Sequence, residues 1–275
     1  MNKSEEYPVK KHLLSLPDGR LLSYTTKGSG SLTIIFIHGF PLNQTMWQAQ
    51  MQRLTGNVQL ITFDLCGYGH SSYTGHALSI SSFADDLMLF IQTLQIQKVV
   101  LCGLSMGGYI ALNFASRYAD RVAGLILCDT QCENDSEEVR HKRFENVQKI
   151  RDGGKEDFFI GMTKALFSDS SLSNKQLVND VHAMMYSVSD EVLIQTLMAL
   201  ANRSETCSHL KEMNVPVLLL CGQNDQITPP HKSLYMQQQI PNSKLHIIPQ
   251  AGHLSNMENS DYFNTVVGDF IKENF

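Results

Sequence analysis

A chain of 275 residues, 43% hydrophobic and 18% charged, has an ordinary globular composition and enough length to bury a substantial core. Its formal net charge of −5 argues against nucleic acid or an anionic membrane as partner. No apolar run approaches the ~20 residues that cross a bilayer, so no membrane insertion is expected. The first residues, Met1-Asn2-Lys3-Ser4-Glu5-Glu6-Tyr7-Pro8, hold no apolar signal-peptide core, which points to a cytoplasmic protein. The six cysteines lack metal-like spacing. Cys102, Cys128 and Cys221 fall in apolar, strand-like runs that suit small buried thiols, and all six are expected to be reduced.

In chain order, His12 to Leu16 and Leu21 to Thr26 flank the turn signal Pro17-Asp18-Gly19-Arg20 and read as a hairpin. Thr33 to Ile37 is an apolar run suited to a central parallel strand, ending in His38-Gly39-Phe40-Pro41. Trp47, Met51 and Leu54 indicate a helix, and Val58 to Phe63 the next strand, closed by Asp64-Leu65-Cys66-Gly67-Tyr68-Gly69-His70-Ser71. Ile80, Phe83, Ala84, Leu87, Met88, Ile91 and Leu94 keep helical spacing. Strands at Val99 to Cys102 and Val122 to Cys128 then bracket another helix. From 133 to 206 strand signals disappear, and the stretch reads as a helical insertion too long for a simple connection. Val215 to Cys221 resumes the alternation, followed by a helix from His231 to Ile240, a strand at Leu245 to Ile248 and a closing helix from Asp261 to Glu273. The predicted architecture is α/β. It has a mostly parallel eight-stranded sheet with helices on both faces, a core over 1–132 and 207–275, and a helical cap over 133–206.

Between the strand at Val99 and its helix lies Gly103-x-Ser105-x-Gly107, the pattern of a nucleophile elbow. So sharp a turn needs small neighbours on either side of the serine. It lifts the Ser105 hydroxyl clear of the sheet and sets the Met106 N–H at a helix N-terminus, where developing negative charge is favoured. A glycine-rich turn with a helix-capping serine would have the same five residues.

A serine hydroxyl needs a base, and the base an orienting acid. Ser105, Asp225 and His253 occur in the order Ser, Asp, His, each just past a predicted strand end, where ligands bind in open α/β sheets. His38 is a rival histidine better suited to shaping the oxyanion loop, and His231 has no strand before it. Asp129 also ends a strand and competes for the acid's role, although the Gly222 to Pro230 loop gives Asp225 better reach. Phe40 and Met106 are the candidate oxyanion N–H donors. Asp64, with Gly67 and Gly69, reads as a structural turn. Met162, Leu166, Met185 and Leu254 are candidates for an apolar, adaptable pocket.

His38-Gly39-Phe40, Asp64-x-x-Gly67-x-Gly69-x-Ser71, Gly103-Leu104-Ser105-Met106-Gly107-Gly108, Gly222-x-x-Asp225 and Ala251-Gly252-His253 together resemble the alpha/beta-hydrolase superfamily. The resemblance spans essentially the whole chain apart from the insertion. It is nearest the capped branch of carboxylesterases, 3-oxoadipate enol-lactonases and cofactor-free peroxidase-like hydrolases. Cys66 departs from it, since arginine is frequent at that place. The resemblance implies a serine hydrolase acting on a small to medium carboxylic ester or lactone, with no cofactor and no metal. Serine at the elbow disfavours haloalkane dehalogenase and epoxide hydrolase chemistry, which use aspartate there. Thioester and C–C bond hydrolysis stay open, as does a ligand-sensing or signalling protein with slow turnover.

Overall fold

The apolar runs of the sequence become the middle of one eight-stranded sheet in the computed structural model, which describes residues 8–275. Residues 1–7, within the stretch read as lacking a leader, lie outside the described residues. Strands β1 (Lys10–Ser15) and β2 (Leu21–Lys27) form the expected hairpin. They are followed by β3 (Leu32–Ile37), β4 (Val58–Phe63), β5 (Val99–Leu104), β6 (Val122–Cys128), β7 (Val217–Gly222) and β8 (Ser243–Ile248). The spatial order is β1-β2-β4-β3-β5-β6-β7-β8, antiparallel at β1–β2 and β2–β4 and parallel elsewhere. Every residue of β5 and β7 is buried, as strands covered on both faces require, whereas the edge strands β1 and β8 expose part of their length.

The helices that cover the core are α1 (Gln48–Arg53), α2 (Ile80–Thr93) and α3 (Met106–Arg117), with α8 (Pro230–Gln239), α9 (Ser255–Glu258) and α10 (Ser260–Asn274) after the insertion. A capping box between Ser79 and Ser82 starts α2, which packs on α3. On the other face α1 packs against α10, where Trp47 is fully buried between Phe36 and Phe263. The short α9, which starts two residues after His253, has no periodic signal in the sequence.

Between β6 and β7 lie α4 (Glu137–Arg151), α5 (Lys155–Leu166), α6 (Lys175–Tyr186) and α7 (Asp190–Ala201). The break at Gly153-Gly154 separates α4 from α5, as the sequence indicates. The insertion rests on the loops at the carboxyl end of the sheet: the Tyr68 hydroxyl donates to Thr196 Oγ1 at 2.8 Å, and the Phe40 and Phe158 rings lie 6.4 Å apart.

The expectation of six reduced thiols is corrected at the neck of the insertion. Cys132 and Cys207, 75 residues apart in sequence, form a disulfide. The chain leaves β6 and returns to β7, its neighbour in the sheet, so the two ends of the long excursion run side by side. The Thr206 N–H donates to the Cys132 carbonyl at 2.8 Å, and Arg203, fixed to Asp135 at 2.6 Å, tightens the same neck. Cys66, Cys102, Cys128 and Cys221 are buried free thiols. Among the described residues no helix is long and apolar enough to cross a membrane.

Candidate active site

Ser105 sits between the last residue of β5 and the first of α3 with φ 54° and ψ −113°, a sparsely populated conformation that costs about 1–3 kcal/mol and persists only where surroundings enforce it. Here they do. The Ser105 N–H donates to the Cys128 carbonyl at 2.9 Å, while its own carbonyl accepts from Thr130 Oγ1 at 2.9 Å and from the Gly108 and Tyr109 N–H groups. A Cβ on Gly103 would lie 2.2 Å from the Gly107 carbonyl oxygen, and one on Gly107 would lie 2.2 Å from that of Ile37. Both glycines are therefore required by close backbone approach, and the hydroxyl is left projecting from the turn.

Two loops reach that hydroxyl. His253 Nε2 lies 2.8 Å from Ser105 Oγ, and His253 Nδ1 lies 2.8 Å from Asp225 Oδ2. A carboxylate only accepts, so Nδ1 carries the proton and Nε2 of the neutral ring is left to accept from the serine. Asp225 is itself fixed by a tight turn: Oδ1 accepts from the Ile227 and Thr228 N–H groups at 2.8 and 3.0 Å, and Oδ2 from the Thr228 hydroxyl at 2.8 Å. Burial works to raise the Asp225 pKa, but His253 and the Thr228 donors outweigh it and hold the carboxyl below its usual range. Burial likewise works to lower His253; the charge and hydrogen bond of Asp225, with the more distant charge of Glu258, overcome it and keep the imidazole above its ordinary value.

The rival residues are engaged elsewhere. Asp129, fully buried at φ 45°, accepts from the Gly222 N–H at 2.7 Å and from the Ser255 hydroxyl, strapping β7 and α9 to the end of β6. Burial and then the neighbouring charge of Asp225 push its pKa well above the carboxylate range. His38 donates from Nδ1 to the Gly39 carbonyl at 2.9 Å and accepts at Nε2 from the Leu65 N–H at 3.1 Å, so it ties the loop after β3 to the loop after β4. Its complete burial lowers its pKa and keeps it neutral. His231 is exposed on α8. Asp64 accepts from the backbone and side chain of Gln44 and from the His70 N–H, as a turn residue does. Asp129, Cys221 and Asp225 bring donor atoms within 4.8 Å of one another. All four oxygens of the two aspartates already accept hydrogen bonds, and the Cys221 thiol donates to the Thr228 carbonyl.

Phe40 follows the His38-Gly39 corner and Met106 opens α3; no described residue accepts a hydrogen bond from the N–H of either. Of the four pocket candidates, Leu166 and Leu254 are buried beside His253, whose N–H donates to the Leu166 carbonyl at 2.9 Å. Met162, half-buried on α5, and Met185, fully buried on α6, belong to the packing of the insertion. Two residues escaped the sequence reading. Thr228 is legible in retrospect, because Asp-x-x-Thr is a local turn signature. Glu258, whose carboxylate binds the backbone around His253, has no such local signal.

A family profile described as alpha/beta hydrolase fold matches residues 33–260. The structure of a thermophilic esterase from Thermogutta terrifontis, with malate bound, is similar at a TM-score of 0.90 and 33% identity, covering 96% of this chain and 98% of that one. The 3-oxoadipate enol-lactonase 1 of Acinetobacter baylyi is 25% identical over 256 residues, 92% of this chain and 94% of the relative. A pimeloyl-acyl-carrier-protein methyl ester esterase of Aliivibrio fischeri is 25% identical over 257 residues, 92% of this chain and 98% of the relative.

Proposed function

Because the chain belongs to the alpha/beta hydrolase fold family, in its esterase and enol-lactonase-like branch, we propose that it is a serine hydrolase that cleaves a small to medium carboxylic ester or lactone. The observation that carries this reading is the unbroken line from Ser105 Oγ through His253 to Asp225, two contacts of 2.8 Å each. Ser105 attacks the carbonyl carbon as His253 Nε2 takes its proton. The Asp225 carboxylate stabilises the imidazolium and holds its orientation. The N–H groups of Phe40 and Met106 receive the tetrahedral oxyanion, at about 3 kcal/mol per donor. Collapse expels the alkoxide with the proton from His253 and leaves an acyl-serine. Water, deprotonated by the same base, then releases the acid and restores the hydroxyl.

The acyl chain or lactone ring fits between the loops of the sheet and the helical insertion. Leu166 and Leu254, buried beside His253, are the residues proposed for its wall, and Met162 and Met185 support that wall only through the packing of the insertion. The ester and lactone substrates named for the relatives support this class. A cytoplasmic location, the reading drawn from the sequence, goes with reduced thiols, so the Cys132–Cys207 disulfide counts against it.

The test is hydrolysis of p-nitrophenyl acetate and butyrate. Sustained turnover that disappears in Ser105→Ala is expected. A single stoichiometric release of nitrophenol, with no second turnover, would favour a sensor; turnover unchanged in Ser105→Ala would end the reading.

A further inference from the structure

The loop that carries His253 is held by a residue outside the Ser105–His253–Asp225 line. Glu258, at the end of α9, accepts at Oε1 from the N–H of Gly252 at 2.9 Å and of Leu254 at 3.2 Å, the residues on either side of the histidine. Its Oε2 accepts from the N–H of Ser168 at 2.9 Å and from the Ser168 hydroxyl at 2.8 Å. Ser168 lies just past α5, in the insertion. Gly252 has no room for a side chain at this crossing: a Cβ there would lie 2.5 Å from the Ser168 nitrogen.

We propose that Glu258 is a positioning residue for His253, clamping the backbone on both sides of the imidazole and fastening that loop to the helical insertion. The inference rests on the serine hydrolase reading and deepens it. Three backbone donors converge on two oxygens, and only a carboxylate offers acceptors on both sides; an amide would present its own N–H groups to one set of donors. Because His253 N–H also donates to the Leu166 carbonyl, three successive N–H groups, those of residues 252 to 254, are fixed to Glu258 or to the end of α5. The position of the base is thereby tied to that of the end of α5. The imidazole is faced by Asp225 from the loop after β7, Asp129 from the end of β6 and Glu258 from α9, with the Ser105 and Thr228 hydroxyls beside it. The Glu258 charge thus adds to the support of the imidazolium.

Two substitutions separate reach from charge. Glu258→Gln keeps the length but removes the charge and the acceptor on one side of the clamp; Glu258→Asp keeps the charge and both acceptors but loses the reach. The readout is the rate of single-turnover inactivation by a p-nitrophenyl alkylphosphonate, followed by nitrophenol release across pH, with folding checked by circular dichroism. Glu258→Gln is expected to move the acid limb to lower pH by about half a unit, since a negative charge facing His253 is gone, and to slow the reaction as well, since one side of the clamp is lost. Glu258→Asp is expected to leave that limb in place and to slow the reaction by roughly tenfold or more, as small misplacements of a catalytic group do. If the Gln variant does not fold, the Asp variant decides alone. An unchanged rate and an unchanged limb in the folded variants would overturn the clamp. Failure of the wild-type chain to react at Ser105 would instead overturn the hydrolase reading itself.

Discussion

The carboxyl edge of the sheet and the helical insertion meet along one seam, yet they are held by different physics. At the sheet edge each position is dictated by backbone proximity: Gly103 and Gly107 have no space for a Cβ, Ser105 is bonded at both its N–H and its carbonyl, and Asp225 is locked in its own turn. The insertion is attached by a few separable joints. Among them are the Tyr68–Thr196 hydroxyl pair, the Phe40–Phe158 ring contact, the Leu166 carbonyl on His253, the Ser168–Glu258 contacts, the Lys232–Glu133 ion pair and the Cys132–Cys207 neck. None of its side chains belongs to the Ser105–His253–Asp225 line. On the proposed function, bond-making belongs to the sheet edge, where geometry is over-determined, and choice of substrate to the insertion, where packing can change without disturbing the line.

Substitutions at the sheet edge should have the largest effects. His253→Ala is expected to lower kcat for nitrophenyl esters by about a million-fold while the protein stays folded. Asp225→Asn should cost about ten thousand-fold by favouring the wrong imidazole tautomer. Asp129→Asn should spare most of kcat but lower stability, because its straps to Gly222 and Ser255 are weakened; the pair is compared by steady-state kinetics and chemical denaturation. A greater loss of kcat in Asp129→Asn than in Asp225→Asn would reverse the roles of the two acids.

Changes to the seam should be milder and fall on stability or selectivity. Opening the Cys132–Cys207 loop with a thiol reductant is expected to cost about 4 kcal/mol on loop-entropy grounds, read as a lowered denaturation midpoint, with the reaction at Ser105 retained. Met162→Ala should change the ratio of kcat/KM between acetyl and hexanoyl esters by roughly tenfold, leaving kcat for the short ester near wild type. The smallest shift is in pH. His253 must be neutral to act as base and its pKa is held above the ordinary value, so kcat/KM should decline as pH falls through a midpoint above ~6.5. A midpoint below that value would mean that the charges around the imidazole do not reach it.

The same contrast governs how far the sequence could be read. Strands buried on both faces announce themselves as apolar runs, so β3 to β7 and the loops that follow them are legible from Thr33, Val58, Val99, Val122 and Val215 onward. The Gly103-x-Ser105-x-Gly107 turn is legible because its geometry demands particular residues within five positions. His253 and Asp225 follow from their places after β8 and β7. The neck disulfide was not legible, since it depends on β6 and β7 being neighbours, a fact of topology that no local signal at Cys132 or Cys207 contains. Glu258 was hidden for a similar reason: half its partners lie 90 residues away at Ser168. The strap at Asp129 depends on Ser255, 126 residues downstream.

The most direct test is to quench the enzyme in acid during turnover of a nitrophenyl ester and map the trapped acyl group by peptide mass spectrometry. One acyl group on Ser105, absent from His253→Ala, is expected. An acyl group on another residue, or the same yield on Ser105 without the imidazole, would contradict the shared role of these side chains.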